Sequence, residues 1–142
     1  MGSLIAGPKE TITRAVRWRK MLGGGLRQSG IVAAAGIYAL ENNIERLKDD
    51  HENAKCLAQS LAHIDALAID MDEVQTNMVF VDAPEAGADK LVEFLGKRNI
   101  KISGGKRIRL TTHLDISKED TETIIVALSE FYQARYPAQI QC

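Results

Sequence analysis

Two short segments of the chain carry the residue types that bind small anions. In the first, residues 22–29, three consecutive glycines precede Arg27, and Ser29 can begin a helix. Bare backbone amides, a guanidinium and a helix start are the parts of an oxyanion or phosphate site. No Gly-Lys-Ser/Thr follows, so the segment is not a Walker loop. A helix end with a flexible hinge has the same composition and is the alternative interpretation.

The second segment, residues 107–113, alternates polar and apolar side chains in the way of a strand with one buried face. This pattern places Arg107 and Arg109 on one face, together with Thr111 and His113. An arginine held on a covered strand suits two-pronged capture of a carboxylate. The alternative is an exposed sheet face on which both guanidinium groups are hydrated.

Other arrangements of reactive residues are weaker. His113 and Asp115, with Ser103 or Ser117, suggest a Ser-His-Asp triad, but the Gly-x-Ser-x-Gly elbow is absent. The histidines never approach metal-ligand spacing, so no metal site is expected. Trp18 lies among basic residues, where it could stack on a base. A single tryptophan on a basic helix is more often an anchor against a neighbouring surface, so nucleic acid is not expected as a partner.

Charge is segregated along the chain. The first 30 residues hold six basic side chains and one acid, whereas the whole chain has a net charge of −1. A nucleic-acid-binding protein would usually carry an overall positive excess. The segregation favours a local anion site or a solvated helix face.

The size and composition are those of one folded domain. The chain has 142 residues, of which 45 % are hydrophobic and 26 % charged, so a disordered tail is excluded. No apolar run approaches the roughly 18 residues of a membrane span, and neither a signal peptide nor a membrane partner is expected. Cys56 and Cys142 form no CxxC pair. We therefore expect no disulfide framework or zinc ribbon, and a cytoplasmic location.

Hydrophobic periodicity predicts a mixture of helices and strands. A short strand end at residues 3–6 precedes a helix that begins at Pro8 and stops at the glycines. Ser29 begins a second helix that is apolar on every side, which predicts burial. An amphipathic helix follows, either continuous with it or kinked at two asparagines. The rest predicts a small β-β-α-β-β-α layer domain, with strands at 66–70, 77–81, 100–102 and 107–112 and helices at 88–95 and after Ser117.

Residues 1–40 do not make a complete fold on this interpretation. One short strand cannot form a stable sheet, and the apolar helix has too little chain around it to be surrounded. The pattern is typical of a piece of a larger α/β protein.

Several motifs, in order along almost the whole chain, resemble those of the low-specificity threonine aldolases. They are Gly2-Ser3-Leu4 and the runs at 17–30, 33–36, 46–51, 76–81 and 109–115. The resemblance implies a pyridoxal-phosphate lyase of the aspartate-aminotransferase fold type. Such enzymes cleave the Cα–Cβ bond of threonine or allo-threonine to glycine and acetaldehyde. It also implies three parts: residues 1–28 from the large cofactor-binding domain, 29–63 as linking helices, and 64–142 as the small C-terminal α+β domain.

The same resemblance implies roles for three basic residues. Arg109 matches the arginine that binds the substrate α-carboxylate. Arg27 matches one that reaches a cofactor phosphate across a subunit interface, which implies a homo-oligomer. Lys20 matches a basic residue near the mouth of the active site. No catalytic residue of the family falls within this chain.

The resemblance begins after the lysine that binds the cofactor covalently, so the chain corresponds to about the C-terminal two-fifths of the enzyme. Alone, it is expected to be inactive and not to bind the cofactor covalently. Two alternatives stay open: a free-standing module that binds small anions without catalysis, and a complementing module that pairs with a separate N-terminal half.

Overall fold

The computed structural model describes residues 3–133, and the chain divides into two compact units, Met1–Glu45 and Arg46–Cys142. The first contains helices α1 (Lys9–Met21) and α2 (Gly30–Asn42). The second has the order α3 (Leu47–Leu61), a 3-10 turn (Met71–Glu73), β1 (Met78–Asp82), α4 (Ala88–Gly96), β2 (Arg107–Thr111) and α5 (Lys118–Phe131). The mixed helix and strand content agrees with the α/β assignment.

Helix α1 begins and ends as the sequence predicts. Pro8 occupies the N-cap with φ −55°, and Glu10 in the first turn complements the helix dipole. The chain turns at Gly23, whose φ of 84° is readily adopted only by glycine. The strand end predicted at residues 3–6 is wrong, because these residues have no regular secondary structure. A strand needs a partner, and none pairs with them in the part of the chain that is described.

Helix α2 is apolar but exposed in this chain. None of its residues is buried, and Ile31 is 86 % exposed. The sequence predicts that α2 is buried, but the described residues do not cover it. The break before α3 falls at residues 43–46, so the two helices are separate rather than continuous.

The second unit forms a two-stranded antiparallel sheet instead of the four strands predicted. Ile100 donates its amide to the carbonyl of Leu95 at 3.0 Å, which closes the end of α4 and keeps residues 100–102 out of the sheet. Residues 66–70 contribute a single bridge, from Ala68 to Asp82. The amide of Leu67, just before it, is held in a turn by the carbonyl of Ile64.

One face of the sheet packs on the helices and forms the core. Val79 and Val81 on β1 face inward with Ile108 on β2, and all three are at most 4 % exposed. The helices add a fully buried set: Leu57, Leu61, Leu91, Leu95 and Ile125. Burial of each such side chain contributes about 1.5–3 kcal/mol. The core thus fixes the orientation of β2 and leaves its other face open.

The structure also bears on membrane spans and on the state of Cys56. The described residues contain no helix long and apolar enough to cross a membrane. Cys56, which is buried on α3, is disulfide-bonded. The sequence predicts a reducing environment without a disulfide framework, and the bond at Cys56 departs from that expectation.

Candidate anion site

Strand β2 presents its arginines on the open face of the sheet. Ile108 is 4 % exposed and points into the core, whereas Arg107 and Arg109 are exposed, as the alternation predicts. In the antiparallel register Arg109 lies opposite Phe80, and Arg107 lies opposite Asp82. The two guanidinium groups therefore share one face but have different neighbours across the sheet.

Arg107 and Arg109 also differ in their electrostatic partners. Arg107 donates from Nη2 to Oε2 of Glu73 at 2.5 Å, and its Nη1 lies 3.7 Å from a carboxylate oxygen of Asp82. Its guanidinium carbon lies 5.0 Å from the centre of the Phe80 ring. The Arg109 guanidinium makes no hydrogen bond or ion pair with any residue that the structure describes. Arg109 is consequently the guanidinium available to a ligand.

A buried clamp holds the end of the strand that carries Arg109. The amide of Thr112 donates to the carbonyl of Asn77 at 2.9 Å, and Asn77 Nδ2 donates back to the Thr112 carbonyl at 2.8 Å. The Thr112 hydroxyl donates to the backbone carbonyl of Asp50 on α3 at 2.6 Å. These bonds tie β1, β2 and α3 together three residues beyond Arg109, which limits the motion of its backbone.

An ion pair at the start of α3 holds the side chain of Asp50, the residue whose backbone carbonyl accepts the Thr112 hydroxyl. Arg46 donates to both carboxylate oxygens of Asp50, at 2.6 and 3.2 Å. The Asp50 side chain is only 4 % exposed, so a paired charge is required there. Four residues lie within the motif runs but had no role predicted from the sequence: Arg46, Asp50, Asn77 and Thr112. The i, i+4 spacing of the first two was an available signal, but the long-range contacts of the last two had none.

The glycine turn after α1 mainly ends the helix. The amide of Gly23 donates to the Lys20 carbonyl at 3.3 Å, and the amide of Gly24 donates to the Arg19 carbonyl at 2.8 Å. Both amides satisfy the last turn of α1 and are not directed at a ligand. The helix-end interpretation therefore holds for these two glycines, and the expected cradle of bare amides does not include them.

Lys20 and Arg27, the two cations predicted to act beside this turn, lie near it with exposed side chains. The Lys20 side chain passes over Gly25, where a Cβ would lie 2.7 Å from its Cδ, so a larger residue there would displace the lysine side chain. Arg27 is exposed two residues further on. Neither side chain forms an ion pair with the described residues. Lys20 and Arg27 belong to the first unit and Arg109 to the second.

The alternative reactive arrangements are not assembled. The Ser117 hydroxyl donates to Asp120 at 2.9 Å and caps α5, so it is not directed at His113. Hydrogen bonds from the Ser117 amide and hydroxyl lower the pKa of Asp120. His113 accepts the amide of Asp115 at 3.2 Å. The described residues hold no cluster of three or more His, Cys, Asp or Glu that could bind a metal.

Comparison with known proteins identifies the family of the chain. The beta-eliminating lyase family model matches residues 1–84, and the chain belongs to this family.

The relatives are consistent with that class. The chain is 50 % identical over 119 residues to the low specificity L-threonine aldolase of Escherichia coli strain K12, covering 84 % of this chain and 35 % of the relative. It is 37 % identical over 140 residues to a probable low-specificity L-threonine aldolase 2 of Arabidopsis thaliana, covering 94 % and 39 %. It is 30 % identical over 136 residues to the Saccharomyces cerevisiae low specificity L-threonine aldolase, covering 93 % and 34 %. The chain spans between a third and two-fifths of the length of these relatives.

Proposed function

We propose that this chain forms the carboxyl-terminal part of a pyridoxal-phosphate-dependent threonine aldolase that cleaves L-threonine or L-allo-threonine to glycine and acetaldehyde. The observation that carries the proposal is Arg109, an arginine with no acidic partner among the described residues, held on a strand that the core and the Thr112 clamp fix. The similarity to L-threonine aldolases supplies the reaction.

Arg109 binds the substrate α-carboxylate in this proposal. A guanidinium can donate two parallel hydrogen bonds to a carboxylate, which fixes both its position and its plane. That anchor helps to orient the Cα–Cβ bond for cleavage. The carboxylate is held by the second unit, on an element whose backbone is tied to α3.

The residues beside the glycine turn fit a phosphorylated cofactor. Arg27 and Lys20 are cations of the two kinds that bind phosphate, both exposed and both without an acidic partner in the described part of the chain. Arg27 would hold the phosphate, and Lys20 would add positive charge near the mouth of the site. When bound, pyridoxal phosphate supplies the electron sink for breaking the Cα–Cβ bond.

Assembly into a homo-oligomer completes the proposal. Helix α2 leaves Ile31 86 % exposed and Leu40 58 % exposed, which favours contact with further protein surface. Arg27 would then reach a phosphate held by a neighbouring subunit. In the complete enzyme, residues 1–28 would belong to the cofactor domain, 29–63 would link, and 64–142 would form the small domain.

The test of this assignment is cofactor affinity in a complete enzyme that carries this chain. Such an enzyme can be made by joining the chain to the preceding part of the E. coli relative, with which it shares 50 % identity. Arg27→Ala is expected to raise the pyridoxal-phosphate concentration for half-maximal activity by roughly tenfold or more, because a charge-assisted contact is lost. Arg14→Ala is the matched control, because Arg14 lies on α1 in the same unit as Arg27 and is also exposed. Equal cofactor affinity in the two variants would contradict the role of Arg27.

A further inference from the structure

The open face of the sheet holds opposite charges close together. The register places Asp82 and Arg107 directly across from each other, and Phe80 across from Arg109. All four side chains lie on the same face, because Val79, Val81 and Ile108 alternate with them into the core. Glu73, in the 3-10 turn before β1, adds a second acid at the Arg107 end.

Arg107 engages both acids at once. One nitrogen of its guanidinium bonds to Glu73 at 2.5 Å, and the other lies 3.7 Å from Asp82. Its position 5.0 Å from the Phe80 ring centre adds a cation–π contact that holds the group toward these partners. The side chains of Arg107, Glu73 and Asp82 are each about half exposed, at 51 %, 48 % and 45 %. Such pairs contribute little to folding.

The position of Asp82 matters more for Arg109 than for stability. Residues diagonal to each other on one face of an antiparallel pair are about 7–8 Å apart, within reach of a long side chain. Asp82 is the diagonal neighbour of Arg109 in this register. Without Arg107, the Asp82 carboxylate would be an internal competitor for the same guanidinium that is to receive a substrate carboxylate.

We propose that Arg107 is a positioning residue that occupies Glu73 and Asp82 and thereby keeps Arg109 open for a carboxylate ligand. This inference rests on the proposed role of Arg109. In this role Arg107 needs positive charge beside Glu73 and Asp82, and it does not need the forked geometry of the guanidinium. Arg107→Lys therefore retains the role, and Arg107→Ala abolishes it.

The kinetic test uses the complete enzyme that carries this chain. Arg107→Ala is expected to raise KM for threonine roughly twofold to fivefold, the equivalent of one exposed ion pair, with kcat unchanged. Arg107→Lys is expected to keep the parent KM, and the double variant Arg107→Ala/Asp82→Asn to regain most of it. The midpoint of thermal unfolding should stay the same in all three, which separates this task from a structural one.

The outcomes distinguish this inference from the proposed function. If Arg109→Lys impairs the enzyme while Arg107→Ala leaves KM unchanged, or if Asp82→Asn fails to restore KM, the task assigned to Arg107 is wrong. If Arg109→Lys has no effect, the proposed function itself fails. A crystal structure of the Arg107→Ala chain gives a second readout. Arg109 within 4 Å of the Asp82 carboxylate supports the inference, and Arg109 remaining apart from it overturns it.

Discussion

Arg107 and Arg109 stand two residues apart on β2 and have opposite surroundings. Arg107 is paired with Glu73 and Asp82, whereas Arg109 has no such partner among the described residues. From alternation alone the two arginines were equivalent, and the motif resemblance separated them. The ion pairs also distinguish the two residues, because a guanidinium already bound to two acids is a poor receptor for a third carboxylate; the role of Arg109 stays a prediction.

Substitution of the two arginines by lysine is expected to give unequal results in the complete enzyme. Arg109→Lys keeps the charge but loses the fork, which should cost about 1.5–3 kcal/mol of transition-state stabilisation. This corresponds to a roughly tenfold to hundredfold lower kcat/KM for threonine. Cofactor affinity should change little, because the phosphate is bound elsewhere.

Arg107→Lys is the matched control for this measurement, because it lies on the same face and keeps its charge beside Glu73 and Asp82. It should be nearly silent. Equal losses in the two variants, or weaker cofactor binding in Arg109→Lys, would show that the wrong arginine has been assigned.

At the scale of elements, the helices followed from the sequence more closely than the strands. Pro8, the glycine turn and the Ser117–Asp120 capping box mark helix ends through local chemistry, and each is found where expected. The strands at 66–70 and 100–102 failed because their neighbouring amides close turns and a helix end. Sequence alternation cannot reveal this competition for backbone hydrogen bonds.

In the candidate site, too, local features could be predicted from the sequence, whereas long-range contacts could not. Spacing made Arg27 and Arg109 anion candidates, and motif resemblance added Lys20; the roles of all three stay predictions. The different surroundings of Arg107 and Arg109 were not predictable, because they depend on contacts such as that of Arg107 with Glu73, 34 positions apart. The clamp between Asn77 and Thr112 was equally hidden, since those residues lie 35 positions apart.

The Thr112 clamp predicts a specific loss of stability. Thr112 is 3 % exposed, and its hydroxyl donates to the Asp50 carbonyl. Thr112→Val keeps the shape and removes this donor, so the free energy of unfolding should fall by about 1–3 kcal/mol. Denaturant unfolding of the chain measures the change.

Thr111→Val is the control for the clamp. Thr111, the last residue of β2, is exposed, and its substitution should change the free energy of unfolding by less than about 0.5 kcal/mol. Similar values for the two variants would mean that the clamp does not stabilise the strand.

At the scale of the whole molecule, α2 is the feature that most requires a partner surface. Ile31, Ile37 and Leu40 are all more than half exposed. Covering each would contribute about 1.5–3 kcal/mol. We therefore expect the 142-residue chain to associate rather than remain a monomer at micromolar concentration.

Sedimentation measures this association directly. Ile31→Asp should shift the population toward smaller species, because it places a charge where the apolar contact would form. A stable, monodisperse monomer of the unmodified chain would count against burial of α2 by another chain.

The most direct test of the account is threonine cleavage by two proteins measured side by side. One is the chain alone, and the other is the complete enzyme in which the chain follows the preceding part of the E. coli relative. We predict pyridoxal-phosphate-dependent release of acetaldehyde from the complete enzyme and none from the isolated chain. Release by the isolated chain, or a folded complete enzyme that binds the cofactor yet does not cleave threonine, would contradict the proposed function.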